Sequence, residues 1–146
     1  NLKAEATKRG VAEGKLIFTP RCSLADHISR QEHGDLLLDT FPCNAHTTAS
    51  DALFAGLPLL TLRGETFSSR VAASILKAVG LDDFITDTYE SYEEKAFQLA
   101  HERGRLQAIK QALRTHIKSS DLYNTTRFTK NYEECLMRIY QESQQA

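Results

Sequence analysis

The chain has 146 residues, the size of one ordinary domain, of which 41% are hydrophobic and 25% are charged. This composition is typical of a folded globular protein and excludes the disordered and collagen-like classes. Eighteen Lys and Arg residues against nineteen Asp and Glu residues leave a net charge of −1. Charge therefore gives no reason to expect binding to nucleic acid or to an anionic membrane.

The cysteines and the apolar runs indicate the compartment. Cys22, Cys43 and Cys135 are odd in number, far apart, and form no CxxC pair of the kind that zinc and redox sites use. We interpret them as reduced thiols of a cytoplasmic protein with no bound metal. No apolar run approaches the roughly 18 to 20 residues that cross a bilayer, and the first ten residues lack a signal-peptide core. Because the sequence begins with Asn1, we expect it to be part of a longer protein.

Short apolar runs and helical patterns alternate through the first two thirds of the chain. In chain order they predict a strand at residues 15–20 (KLIFTP), a helix from Ser23 through Gln31, a strand at 35–40 (DLLLDT), a helix at 47–55, a strand at 57–62 (LPLLTL), a helix from Phe67 that ends at Gly80, and a weaker strand around Phe84. Such alternation predicts an α/β fold in which helices pack on the faces of a parallel sheet.

The last third is predicted to be helical. Ser91 and Glu94 have the spacing of a capped helix through about Arg103, where Gly104 interrupts the pattern. The run LQAIKQALRTHIK predicts the next helix, and the polar turn SSDLYN separates it from a final one.

The final predicted helix carries one apolar stripe. Its members are spaced at i, i+4, i+7, i+8, i+11 and i+12, and they are Phe128, Tyr132, Cys135, Leu136, Ile139 and Tyr140. A stripe of this kind needs a surface to cover, and we expect part of that surface to belong to chain that is not present here. We therefore predict a single domain at residues 1–146, with an α/β part at 1–88 and a helical part at 89–146.

The most informative residues follow the leucine-rich strand. His46, Thr47 and Thr48 come where the loop after that strand begins a helix. The first amides of a helix lack internal partners and carry a partial positive charge, so with two hydroxyls and an imidazole they suit a diphosphate. The alternative is that Thr47 is only the helix N-cap and that His46 bonds to backbone. Since parallel strands end at one edge, the loops after Thr40 and Leu62 should lie side by side there.

Three further residues are candidates for the nucleoside. His27 and Arg30 lie three apart on one face of a short helix, where an imidazole and a guanidinium could stack on and hydrogen-bond a nucleobase. The alternative is a solvated helix face. Asp51 lies four residues beyond Thr47, so its carboxylate could accept from ribose hydroxyls or could simply complement the helix dipole.

The run DLLLDTFPCNAHTTASDALFAGLPLLTLRGETFSSRVAAS, residues 35–74, resembles the C-terminal catalytic region of the O-linked N-acetylglucosamine transferases, including their bacterial SPINDLY-like relatives. The resemblance extends back through KLIFTP and HISR and forward through DLYNTTRFTKNYEECLMRIY. It implies the C-terminal lobe of an inverting, metal-independent glycosyltransferase of the GT-B class, in which each lobe is Rossmann-like.

The resemblance also assigns roles to residues. It implies that His27 and Arg30 contact uracil, that His46, Thr47 and Thr48 bind the diphosphate, and that Asp51 binds the ribose of UDP-N-acetylglucosamine. Ser or Thr hydroxyls of proteins would be the acceptors, bound through an N-terminal lobe and tetratricopeptide repeats outside this chain, so the chain alone should be inactive. No catalytic residue is assigned, and no cofactor is expected.

Two other functions are also compatible with the sequence. One is a different nucleotide-sugar enzyme, either an epimerase or a transferase that uses GDP-fucose or UDP-glucose. The other is a non-enzymatic α/β interaction module, which would bind no nucleotide selectively.

Overall fold

The computed structural model of the protein describes residues 1–144, which form seven α-helices and three short strands. In chain order these are α1 (Leu2–Lys8), α2 (Leu24–Gln31), β1 (Leu37–Leu38), α3 (Thr47–Phe54), β2 (Leu59–Leu62), α4 (Val71–Ala78), β3 (Ile85–Thr86), α5 (Tyr89–His101), α6 (Arg103–His116) and α7 (Thr125–Ser143). Short 3₁₀ turns lie at Glu13–Lys15, Phe67–Ser69, Asp82–Phe84, Ile117–Ser119 and Asp121–Tyr123.

The three strands form a parallel sheet in the order β1, β2, β3. Leu37 pairs with Leu59, and Leu62 pairs with Thr86. All four residues of β2 are buried, because a central parallel strand is covered on both faces. The prediction of an α/β fold with a parallel sheet and flanking helices is confirmed.

The predicted strand at residues 15–20 is wrong. Lys15 ends a 3₁₀ turn and Leu16 is extended, but the run is paired with no strand in the described residues 1–144. Ile17 and Phe18 are 84% and 59% exposed. An extended apolar run becomes a strand only when a neighbouring backbone pairs with its N–H and C=O groups. The described part of the chain supplies no such neighbour.

The boundary between α5 and α6 differs from its predicted place. Thr88 is the N-cap of α5, and its Oγ1 accepts from the amide of Ser91 at 3.1 Å. Ser91 is therefore the third residue of the helix and not its start. In a capping box the third residue is the one whose side chain bonds back to the N-cap. The helix ends at His101, and Gly104 lies inside α6 rather than between the two helices.

The α/β residues and the helices α5 and α6 share one hydrophobic core. Its buried members are Ala49, Leu53, Leu59, Leu60, Ala72, Leu76, Phe84, Leu99, Leu106, Leu113 and Ile117. The set joins residues of α3, β2 and α4 to residues of α5, α6 and the turn after α6. Burying one such leucine stabilises the fold by about 1.5–3 kcal/mol relative to leaving it exposed, so the helices contribute directly to the stability of the sheet.

Helix α7 lies outside that core, and none of its described residues is buried. The predicted stripe lies along it, with Phe128 67%, Leu136 48% and Tyr140 61% exposed. The final helix is therefore confirmed, while its apolar stripe is uncovered in the described part of the chain.

The structure also bears on the expectations about cysteines, metal and membrane. All three cysteines are free, and Cys22 and Cys43 are exposed. Residues 1–144 hold no group of three or more His, Cys, Asp or Glu side chains placed to bind a metal ion. Among the same residues, no helix combines the length and apolar character needed to cross a membrane.

Candidate functional site

The loops that follow β1 and β2 lie side by side at the carboxyl edge of the sheet. The amide of Asn44 donates to the carbonyl of Ser68 at 2.9 Å, and Asn44 Nδ2 donates to the carbonyl of Leu62 at 3.3 Å. Asn44 is only 5% exposed. The prediction that these two loops meet is confirmed, and Asn44 joins them through both its backbone and its side chain.

Gly64 allows the second loop to fold tightly against the first. A methyl group at this position would lie 2.5 Å from Ser69 Oγ and 2.9 Å from a ring carbon of Phe41. Both distances are far below van der Waals contact, so a side chain at position 64 would displace the loop that faces the start of α3.

The start of α3 offers free hydrogen-bond donors. His46 is the N-cap residue, and its carbonyl accepts from the amides of Ala49 and Ser50 at 3.1 and 3.3 Å. Thr47 is the first helical residue, so the alternative is wrong in making Thr47 the N-cap, while the backbone bond that it gave to His46 is present. Within residues 1–144, neither the amide nor the hydroxyl of Thr47 or Thr48 forms a hydrogen bond. The first turn contains no acidic residue, so this end of the helix keeps its positive partial charge.

The imidazole of His46 is held against the neighbouring loop. Its ring meets Phe67 edge to face, with centroids 6.0 Å apart at 88°, and its Nε2 lies 3.4 Å from the carbonyl oxygen of Ser68. A carbonyl can only accept, so this contact places a proton on Nε2. In that orientation a neutral ring presents an acceptor at Nδ1, and Nδ1 can donate to an anion only when the ring is protonated.

His27 and Arg30 form one hydrogen-bonded pair on α2. Ser23 caps this helix by accepting from the amide of Asp26 at 3.2 Å, as the sequence predicts. Arg30 Nη2 lies 3.0 Å from His27 Nδ1, and Arg30 Nη1 donates to Thr19 Oγ1 at 2.7 Å. Both paired side chains are partly buried, and α2 packs against α3. Since the Arg30–Thr19 bond is exposed, the alternative of a solvated helix face stays open.

The hydrogen bonds of His27 determine its tautomer. Because a guanidinium only donates, Nδ1 is the acceptor and Nε2 carries the proton. Gln31 Nε2 lies 2.7 Å from His27 Nε2, and the buried Gln31 Oε1 has no hydrogen-bond partner in residues 1–144. Exchanging the nitrogen and oxygen of this carboxamide gives the Nε2 proton an acceptor. Both ring nitrogens are then engaged with α2 itself, which leaves the flat face of the ring as the part available to a base.

Asp51 lies one turn further along α3 than Thr47 and is partly buried. Its carboxylate forms no hydrogen bond or ion pair with another described residue. Burial, together with the charge of Asp51, raises the pKa of Tyr123 to about 12, and the Tyr123 hydroxyl donates to the carbonyl of Ser50 at 2.6 Å. Asp51 is the fifth residue of α3, beyond the first turn where the helix dipole favours acids most.

Sequence reasoning did not identify Asp39, which forms the densest set of hydrogen bonds at this edge. Its Oδ1 accepts from the amides of Thr40 and Ala45 at 2.8 and 2.7 Å. Its Oδ2 accepts from Thr61 Oγ1 at 2.6 Å, and its backbone carbonyl accepts from the hydroxyl of Tyr92 at 3.0 Å. Burial and the charge of Asp39 raise the pKa of Tyr92 to about 12. An acid directly after a buried strand was the available signal.

A cleft of about 510 Å³ borders this site and shares Phe67 with it. It is lined mainly by Arg63, Arg70 and the outer face of α4, and His46, Thr47 and Thr48 are not among its lining residues. The start of α3 is therefore open rather than enclosed by the cleft beside it.

Residues 1–132 match the family model of glycosyl transferase family 41. The chain belongs to this family. The resemblance of the sequence to the O-linked N-acetylglucosamine transferases is thereby confirmed.

Relatives within the family carry related names. The chain is 39% identical over 136 residues to a protein of Arabidopsis thaliana named "probable UDP-N-acetylglucosamine–peptide N-acetylglucosaminyltransferase SEC", covering 92% of this chain and 14% of that protein. It is 27% identical to the UDP-N-acetylglucosamine–peptide N-acetylglucosaminyltransferase of Caenorhabditis elegans, covering 96% and 12%. A probable enzyme of this name, SPINDLY, from Solanum lycopersicum is 34% identical, with 74% and 12% covered. The chain thus spans 12–14% of the length of these relatives.

A solved structure agrees with these relatives. A mutant of the O-GlcNAc transferase of Thermobaculum terrenum superposes with a TM-score of 0.83 at 29% sequence identity, covering 97% of this chain and 27% of that one. The family-41 chain described here therefore has the fold of part of a larger transferase.

Proposed function

We propose that this chain is the nucleotide-sugar-binding lobe of an inverting, metal-independent GT-B enzyme that transfers N-acetylglucosamine from UDP to Ser or Thr hydroxyls of proteins. The observation that carries the proposal is the start of α3, where the amides and hydroxyls of Thr47 and Thr48 have no partner in residues 1–144. Membership of family 41 and the names of the relatives support the donor and the acceptor class.

The proposed role of the α3 start is to neutralise the leaving diphosphate. Backbone amides at a helix N-terminus point at a bound anion and act with the helix dipole. Preorganised donors aimed at developing charge typically contribute about 3 kcal/mol each to transition-state stabilisation. Thr47 and Thr48 supply such donors without a metal, and His46 adds a charged donor at Nδ1 when its ring is protonated.

The proposed nucleoside contacts lie next to this anion site. Since both nitrogens of His27 are engaged with Arg30 and Gln31, His27 is proposed to stack on uracil rather than to hydrogen-bond it. Arg30 keeps part of its guanidinium for the base edge, and the unpaired carboxylate of Asp51 is proposed to accept from the ribose hydroxyls.

Transfer itself is proposed for a longer protein. The chain spans 14% of its Arabidopsis relative, and the α3 start is open on the described side. We therefore expect the chain alone to bind UDP but not to turn over the sugar donor. Transfer of N-acetylglucosamine to a peptide by residues 1–146 alone would contradict this part of the proposal.

His46 provides a sharp test. With the His46 ring protonated, His46→Ala should weaken UDP binding about tenfold, since the hydrogen bond from Nδ1 to the charged diphosphate is lost, while uridine binding should change less than about twofold. Isothermal titration calorimetry with both ligands measures the difference. The matched control is His33→Ala, because His33 is exposed on the loop after α2 and should change neither affinity. Equal losses for UDP and uridine would show that His46 does not contact the diphosphate.

A further inference from the structure

The loop between β1 and α3 is fixed at both ends by one side chain. Asp39 Oδ1 accepts from Thr40 N at 2.8 Å and from Ala45 N at 2.7 Å. One oxygen atom therefore joins the first residue of the loop to the residue that precedes His46. The loop has no regular secondary structure, so the place of its end is determined by these two bonds together with those of Asn44 to Thr40, Leu62 and Ser68.

The carboxylate is itself held in one orientation. Its second oxygen accepts from Thr61 Oγ1 at 2.6 Å, and Thr61 is fully buried in β2. The backbone carbonyl of Asp39 accepts from the Tyr92 hydroxyl of α5 at 3.0 Å. Hydrogen bonds to an ionised acceptor are shorter and stronger than neutral ones, so the two amides and the Thr61 hydroxyl hold the carboxylate firmly in place.

We propose that Asp39 is a positioning residue for the diphosphate site, setting the place of the Ala45–His46 peptide and through it the first turn of α3. The proposal rests on the proposed function of the α3 start. Ala45 directly precedes the N-cap His46, so a shift of the Ala45 amide moves the amides of Thr47 and Thr48. Electrostatic recognition of a diphosphate depends on donor positions to within a fraction of an ångström, whereas stacking of a base on α2 does not depend on this loop.

A purely structural role predicts something different. If Asp39 served only stability, its removal would lower the free energy of unfolding and would leave the relative affinities for UDP and uridine unchanged. A positioning role predicts that the affinity for UDP falls while the affinity for uridine, which has no phosphate, is retained.

The experiment compares Asp39→Ala, Asp39→Asn and Thr61→Val with the unsubstituted chain, using UDP and uridine as probes in calorimetry. Asp39→Ala should weaken UDP binding about tenfold or more and uridine binding less than about twofold. Asp39→Asn keeps one oxygen for the two amides and offers its NH₂ to Thr61 Oγ1, so it should restore most of the UDP affinity. Thr61→Val should lower the affinity for UDP by more than Asp39→Asn does and by less than Asp39→Ala does.

Asp35→Ala is the matched control at the other end of the same strand. Asp35 pairs with Lys110 at 3.8 Å, away from the loop. Asp35→Ala should therefore leave the ratio of the affinities for UDP and uridine unchanged. The hydrogen-exchange rate of the Ala45 amide should rise in Asp39→Ala but not in Asp35→Ala. Unchanged UDP affinity in Asp39→Ala, or equal losses for both ligands, would overturn the inference alone. Absence of UDP binding by the unsubstituted chain would overturn the proposed function and the inference with it.

Discussion

At the scale of single residues, the start of α3 combines polar groups that folding does not use. The Thr47 and Thr48 hydroxyls are exposed and have no partner in the described chain, whereas the nearby Asn44, Asp39 and Thr61 side chains are engaged in hydrogen bonds. The two threonine hydroxyls therefore contribute little to stability and are free for a ligand. The hydrogen-bonded side chains determine where those hydroxyls lie.

Thr48→Val tests whether the Thr48 hydroxyl serves ligand binding rather than stability. The substitution keeps the shape and removes the hydroxyl, so the free energy of unfolding should change by less than about 0.5 kcal/mol. UDP affinity should fall about tenfold because a donor to a charged oxygen is lost. Urea denaturation and calorimetry measure the two quantities. Thr115→Val, the same change on the exposed face of α6, should leave UDP binding unaltered, and a stability loss without an affinity loss at position 48 would contradict a role in ligand binding.

At the scale of elements, two tyrosines connect the helical part to the site. Tyr92 of α5 donates to the carbonyl of Asp39 at the end of β1, and Tyr123 donates to the carbonyl of Ser50 in α3. Both hydroxyls are desolvated and lie near a carboxylate, which raises the pKa of each to about 12. The strand end and the helix that carry the site are thus both supported from the C-terminal third of the chain.

These raised pKa values predict a loss of stability in alkali. A folded-state pKa above the unfolded value of 10.0 means that the folded chain holds its protons more tightly. The contribution is fully present below pH 10 and disappears as the pH rises through the folded value near 12. The free energy of unfolding should therefore fall across this window.

The matched variant removes both hydroxyls. Tyr92→Phe with Tyr123→Phe should cost about 1 kcal/mol per lost hydrogen bond at neutral pH. It should also flatten the decline of stability between pH 10 and 12. Urea denaturation across that range measures the slope, and an equally steep decline in the double variant would show that these tyrosines are not its cause.

Local patterns predicted some elements well and others poorly. The leucine run of β2 was identified because a strand covered on both faces is so apolar, and all four residues of β2 are buried. The same expectation is wrong for β1, which is an edge strand of the described sheet with Leu38 53% exposed. KLIFTP has similar composition but lacks a paired neighbour in the described chain, and composition cannot report pairing. Asp39 and Tyr92 are 53 residues apart in sequence, so no local pattern could predict their contact. The choice between His46 and Thr47 as N-cap concerns a single residue, and local sequence patterns do not define a helix boundary that closely.

At the scale of the whole molecule, one core spans the α/β part and the next two helices, while α7 lies outside it. Leu113 of α6 and Ile117 after it are buried in the same cluster as Leu59 of β2. No described residue of α7 is buried. The helices α5 and α6 should therefore unfold together with the sheet, and α7 should contribute little.

Two changes test this arrangement. Removing residues 125–146 should alter the free energy of unfolding by less than about 1 kcal/mol, because no buried side chain of the described α7 is lost. Leu113→Ala should cost about 2–5 kcal/mol, the usual range for a buried leucine. Denaturant curves followed by circular dichroism measure both. A large loss on truncation, or two separate transitions in the intact chain, would contradict a single shared core.

The most direct test of the central claim, that a diphosphate binds at the start of α3, is an amide chemical-shift titration of the chain with UDP and with GDP. Shifts should be concentrated at Thr47, Thr48 and His27 on addition of UDP, and GDP should also shift Thr47 and Thr48 because it carries the same diphosphate. Shifts that remain absent at millimolar UDP, or that spread without including the first turn of α3, would contradict that claim.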